Sequence, residues 1–161
     1  PIKVEKEIHA NIKDLWEIIS RDGNLNYVHP FCKDNYSISW DGINSIDVLE
    51  YLNGLKFIRE FVTWEPEIGY SLLIGTKNGK KSYVVWEISS KNYKSYLSIT
   101  VYSHFMRKYP KIISYIPHKI MVEPYLKKYL KSVIGGIDYY LINGETIPRN
   151  YFGKHEWFSE K

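Results

Sequence analysis

The stretch Tyr125–Asn143, YLKKYLKSVIGGIDYYLIN, decides the fold. Leu126, Leu130, Val133, Ile137 and Leu141 recur at i, i+4, i+7, i+11 and i+15, which marks one continuous apolar face of a long helix. Lys127, Lys128, Lys131 and Asp138 fall off that face. The helix is predicted to begin near Lys119 and to stop at Asn143-Gly144. Gly135-Gly136 lies inside it and reads either as a close packing contact or as room for a ligand.

Upstream of the helix the period is two. Tyr36 to Trp40, Ile46 to Leu52, Leu55 to Trp64, Tyr70 to Thr76, Lys81 to Ser89 and Ser95 to Phe105 read as six strands. Asp41-Gly42, Asn53-Gly54, Glu65-Pro66 and Lys77-Asn78-Gly79 are the turn signals between them. Short connections of this kind imply an antiparallel meander. Near the N-terminus, Ile2 to Ile8 reads as a further strand. Asn11 then caps a helix carrying Ile12, Leu15, Trp16, Ile18 and Ile19, with Asp14 in the place of a capping-box glutamate and Gly23 as the stop. Leu25 to Phe31 forms a compact insert with His29-Pro30. The expected class is α+β: a seven-stranded antiparallel sheet, bent by its own twist around the long C-terminal helix, with short helices between strands one and two. One domain spans 1–143, and 144–161 is an extended aromatic tail packed on it.

Composition narrows the function classes. The 161 residues carry a net charge of +4 without a long basic run, so nucleic acid is not an expected partner. Lys77, Lys80 and Lys81, like Lys127, Lys128 and Lys131, read as solubilising charge. Cys32 is the single cysteine, which excludes an intramolecular disulfide and points to a reducing cytoplasm. The chain shows neither a signal-peptide pattern nor an 18-residue apolar run. His29-x-x-Cys32 is only half of a metal site, so no metal is expected. No Ser-His-Asp order, phosphate loop or dinucleotide fingerprint occurs, and no cofactor is expected.

The ordered set of elements resembles the SRPBCC superfamily, the helix-grip proteins that include START lipid-transfer domains, plant pathogenesis-related allergens, ubiquinone-binding proteins and polyketide cyclase/dehydrases. Four segments carry the resemblance: Val4 to Ile19, Tyr27-Val28-His29-Pro30, Phe61 to Pro66, and the helix Tyr125 to Leu141. The tail from Pro148 to Ser159 resembles a C-terminal extension of some members. The resemblance implies an internal cavity that binds or transports an apolar or amphipathic small molecule: a lipid, a quinone or a polyketide-like compound. The alternative is a polyketide cyclase/dehydratase-type enzyme using the same cavity. A second alternative is a protein-protein interaction module whose cavity is filled.

Strand periodicity names the wall. With Phe61 and Leu97 inward, Phe57, Arg59, Thr63, Ile99, Val101, Ser103 and Phe105 share their face, together with Tyr70, Leu72, Ile74, Ser82, Val84, Trp86 and Ile88. Trp40, Tyr125, Tyr129, Val133 and Tyr140 add to it. The ligand-binding set is therefore Phe57, Arg59, Phe61, Tyr70, Leu72, Trp86, Ile99, Val101, Tyr125, Tyr129 and Val133. Arg59 either anchors a ligand carboxylate, phosphate or enolate, or pairs with Glu50, Glu60 or Glu87, because a buried guanidinium needs a partner. For the enzyme reading, His104 (or His118) is the candidate general base and Arg59 its companion. The segment 106–117 interleaves aromatic and basic residues; it reads as a gate that touches a membrane transiently, or as a loop over the sheet end. Tyr151, Phe152, Trp157 and Phe158 either cover an apolar groove on their own domain or form a homodimer contact.

Overall fold

The computed structural model describes residues 1–103 and 122–161. His104, His118 and the 106–117 segment lie outside the described residues. The chain runs β1 (Ile2–Ile8), α1 (Ile12–Ser20), α2 (Leu25–Val28), β2 (Cys32–Ser39), a short 3-10 turn (Gly42–Asn44), β3 (Ile46–Tyr51), β4 (Lys56–Glu65), β5 (Gly69–Gly75), β6 (Ser82–Lys91), β7 (Lys94–Tyr102) and α3 (Glu123–Asn143). The seven strands form one sheet in the order β1-β7-β6-β5-β4-β3-β2, antiparallel throughout. The meander is thus continuous from β2 to β7, and β1 pairs with its last strand. The α1–α2 segment carries the chain from one sheet edge to the other.

Local chemistry accounts for the elements. The Asp14 amide donates to Asn11 Oδ1 at 2.8 Å, and the Asn11 amide returns a bond to Asp14, so the cap works as its sequence implies. Leu130, Val133 and Ile137 of α3 are buried in one cluster with Leu72, Val84, Trp86, Leu97, Ile99 and Val101 of the sheet. The helix is buried on all sides from Ser132 to Asp138. Gly136 makes this possible: a Cβ there would stand 1.9 Å from the Val28 carbonyl oxygen. Gly136 and its neighbour Gly135, which faces the Phe152 ring, serve packing against α2 and the tail; neither lines the cavity between the sheet and α3. Asp138, off the apolar face, is buried too, and accepts from the His9 backbone N–H at 2.8 Å and the His9 ring at 3.0 Å.

Two registers differ from the periodic reading. The β3–β4 hairpin closes through Leu52-Asn53-Gly54, with Tyr51 N–H donating to Leu55 at 2.8 Å. Gly54 supplies the positive φ of 86° that this loop needs. A two-residue Asn53-Gly54 loop would have set Asp47 opposite Glu60; the extra loop residue sets it opposite Arg59. The second case is a bulge between Phe61 and Thr63. It turns Thr63 outward, and Trp64 takes the inward position beside Tyr70.

Candidate functional site

Between the concave sheet face, α2, α3 and the tail, the described residues line a pocket of about 550 Å³. That volume is in the usual range for small-molecule sites. Leu72, Val84, Trp86, Ile99 and Val101 form its floor, and Leu126, Leu130 and Val133 of α3 face them. Leu49, Tyr51, Phe57 and Arg59 form one flank; Trp157 and Phe158 of the tail close an end.

Of the residues singled out by periodicity, Phe57, Arg59, Leu72, Trp86, Ile99, Val101, Tyr129 and Val133 stand on this wall. Phe61, Tyr70 and Tyr125 do not. Phe61 and Tyr70 are buried in an aromatic cluster with Trp40 and Trp64, ring centroids 5.0 to 5.6 Å apart along Trp40–Phe61, Phe61–Trp64, Phe61–Tyr70 and Trp64–Tyr70. Trp16 of α1 closes on it, 5.5 Å from Trp64. The bulge after Phe61 brings Trp64 inward, so aromatic rings occupy this part of the grip and the pocket lies beside them, on the far side of Trp86. Tyr125 sits on the outer side of α3 against Trp157 at 5.4 Å. Tyr140 packs on Tyr27 instead of on the pocket.

No family model matches the chain, and no curated protein matches it. Solved structures do. DynU16, a protein of the dynemicin biosynthetic locus, superimposes with a TM-score of 0.65 at 14% identity, covering 90% of this chain and 48% of that one. This chain therefore spans about half the length of DynU16. Ara h 8.0201 gives 0.62 at 10% identity, covering 88% of this chain and 96% of that one. CalU16 from Micromonospora echinospora gives 0.58 at 11%, covering 91% and 76%. The chain has the helix-grip fold. In the grip, the sheet is the palm and α3 is what it holds.

Inside the grip, Arg59 is paired with Asp47. Its Nε donates to Asp47 Oδ1 at 2.8 Å, and its second Nη donates to Oδ2. Glu50, Glu60 and Glu87 are occupied by surface lysines instead: Lys33, Lys81 and Lys3. Asn35 donates to Asp47 Oδ2 at 2.9 Å and to the Val48 carbonyl at 3.0 Å. Burial works against the charged guanidinium, but the Asp47 charge and hydrogen bonds outweigh it and raise the Arg59 pKa. The pair is therefore fixed as ions with no net charge.

A second polar chain lies on the wall. His29 Nε2 meets Tyr129 Oη at 2.9 Å, and Tyr129 Oη meets Tyr51 Oη at 2.9 Å. The Phe31 amide donates to His29 Nδ1 at 3.2 Å, so the ring proton sits on Nε2. Burial, aided by the Arg59 charge, lowers the His29 pKa to about 3. Burial pushes Tyr129 up to about 12 and Tyr51 well above its ordinary value. At neutral pH all three are uncharged hydrogen-bond donors. Phe158 stacks on Tyr51 at 4.2 Å and holds that ring from the tail side.

Sequence reasoning missed His29 and Tyr51 as wall residues and Asp47 as the partner of Arg59. The inward phase Asp47-Leu49-Tyr51 was the available signal on β3. Among the described residues, His29 and Cys32 meet no third metal ligand. No helix among these residues is long and apolar enough to cross a membrane.

Proposed function

We propose that the protein binds an apolar or amphipathic small molecule, of lipid, quinone or polyketide-like shape, in the pocket of its grip. The observation that carries this reading is the pocket itself: about 550 Å³, walled mostly by aliphatic and aromatic side chains. Burying a ligand against such a wall contributes about 25 cal/mol per Å² of apolar surface, so a few hundred Å² supplies the driving force without a cofactor. The helix-grip neighbours support a ligand-holding fold in general.

Binding is favoured over catalysis by the state of the polar groups. His29 is a poor base with a pKa of about 3, and its Nδ1 is already occupied. Both oxygens of Asp47 are taken by Arg59 and Asn35. The wall offers donors and no poised base among the described residues. Native mass spectrometry of the protein, followed by solvent extraction, tests the reading. A retained apolar compound at one per chain is expected. Turnover of such a compound into product would refute the non-catalytic reading.

A further inference from the structure

We infer that the polar end of the pocket donates a hydrogen bond to a neutral carbonyl oxygen of the ligand, a ketone or quinone type of group. The inference rests on the pocket being a ligand site and names the chemistry of that ligand's polar end.

Proton counting carries it. His29 Nε2–H, Tyr129 O–H and Tyr51 O–H supply three protons, while the two contacts between them use two. One hydroxyl proton is left over, and both hydroxyls belong to pocket-lining residues. If the chain runs from His29 through Tyr129 to Tyr51, each bond polarises the next and strengthens the last donor. Neither tyrosine makes another hydrogen bond to a described residue, so the remaining proton is available to a guest.

The stronger acceptors in the same region already have partners. His29 Nδ1 takes the Phe31 amide, and the Asp47 oxygens take Arg59 and Asn35. What remains for a donating group is the weaker acceptor capacity of the phenol oxygens, so a polar end that accepts is matched better than one that only donates. Charge then separates a carbonyl from a carboxylate. Arg59 and Asp47 cancel each other, with side chains 4% and 1% exposed. Lys80, the other charged lining residue among those described, is exposed. A carboxylate seated at the tyrosines would add an unbalanced charge to an apolar wall, whereas a neutral carbonyl adds none.

Three probes of one shape test this: 2-acetylnaphthalene, 2-isopropenylnaphthalene and 2-naphthoate, titrated calorimetrically into the wild-type chain, Tyr51→Phe, Tyr129→Phe and the double variant Tyr51→Phe with Tyr129→Phe. The ketone-to-hydrocarbon affinity ratio is compared with the ratio of their water-to-cyclohexane partition coefficients. The pocket is expected to favour the ketone by at least about tenfold beyond that ratio, because one hydrogen bond made in apolar surroundings is worth more than its net value in water. The carbonyl stretch of the bound ketone should fall below its value in cyclohexane. Each single variant still leaves one hydroxyl proton free, so it is in the double variant that both effects should shrink while the hydrocarbon still binds, which also shows that the variant is folded. If the pocket treats the ketone as cyclohexane does, or if naphthoate binds tightest, the inference is overturned and the pocket reading stands. If no probe binds, both are overturned.

Discussion

Asp47 faces Arg59 directly across the β3–β4 ladder, and its two carboxylate oxygens accept two guanidinium donors inside the grip. The pair is a buried, balanced unit. Arg59→Met alone strands the Asp47 carboxylate and should cost about 3–5 kcal/mol in urea unfolding. The double variant Arg59→Met with Asp47→Leu removes both charges, and Asn35 keeps its bond to the Val48 carbonyl. Its stability should return to within about 2 kcal/mol of wild type.

His29 makes stability depend on pH. Its pKa is about 3 in the folded chain, against 6.5 for the ordinary side chain. Between those values the unfolded chain takes up a proton that the folded chain refuses, so stability falls as pH falls. The slope should be about 1.4 kcal/mol per pH unit for this one proton. Above pH 6.5 the residue contributes no slope. Unfolding midpoints of wild type and His29→Gln from pH 7.5 to pH 4 should diverge in this sense, with the variant less sensitive to acid.

The two helix glycines should behave differently. A Cβ on Gly136 runs into the Val28 carbonyl oxygen at 1.9 Å, a backbone atom that cannot swing aside. Gly136→Ala should destabilise by at least about 1–3 kcal/mol, the range for overpacking. The atoms nearest to a Cβ on Gly135 belong to the Phe152 ring, at 2.7 Å, and that residue is 45% exposed. Gly135→Ala should be near neutral, since the gain in helix propensity offsets moving the ring. Thermal melts of the two variants decide the matter.

Cys32 is buried, and burial pushes its thiol up to about 12. The thiolate needed for disulfide exchange is scarce in the folded chain. Labelling by an aromatic disulfide reagent at pH 8 should be much slower than for the urea-unfolded chain. A comparable rate in both states would contradict the burial.

Much of the fold was legible because its signals are periodic. The α3 face, the six-strand meander and the Asn11 cap each repeat or pair at fixed spacing, and each element appears where its pattern lies. The site was less legible because it depends on registers. One extra loop residue at Leu52 moved Asp47 across from Arg59, and one bulged residue at Val62 exchanged Thr63 for Trp64. A shift of a single residue changes which groups meet, and no local pattern records it. The His29–Tyr129–Tyr51 chain joins residues far apart in sequence, with separations of 100 and 78. Only the assembled grip brings them together. Tyr125 shows the same limit from the other side: its helical phase is close to the wall, yet it is exposed, with its ring against the tail residue Trp157.

The most direct test of the central claim is where an apolar guest goes. Methyl-resolved NMR of the chain during titration with 2-isopropenylnaphthalene reports this at Leu72, Val84, Ile99, Val101 and Val133. Saturable shifts concentrated on those methyls, and abolished by filling the pocket with Val133→Trp, are expected. Absence of saturable shifts, or shifts confined to exposed residues such as Ile38 and Ile68, would contradict a ligand pocket inside the grip.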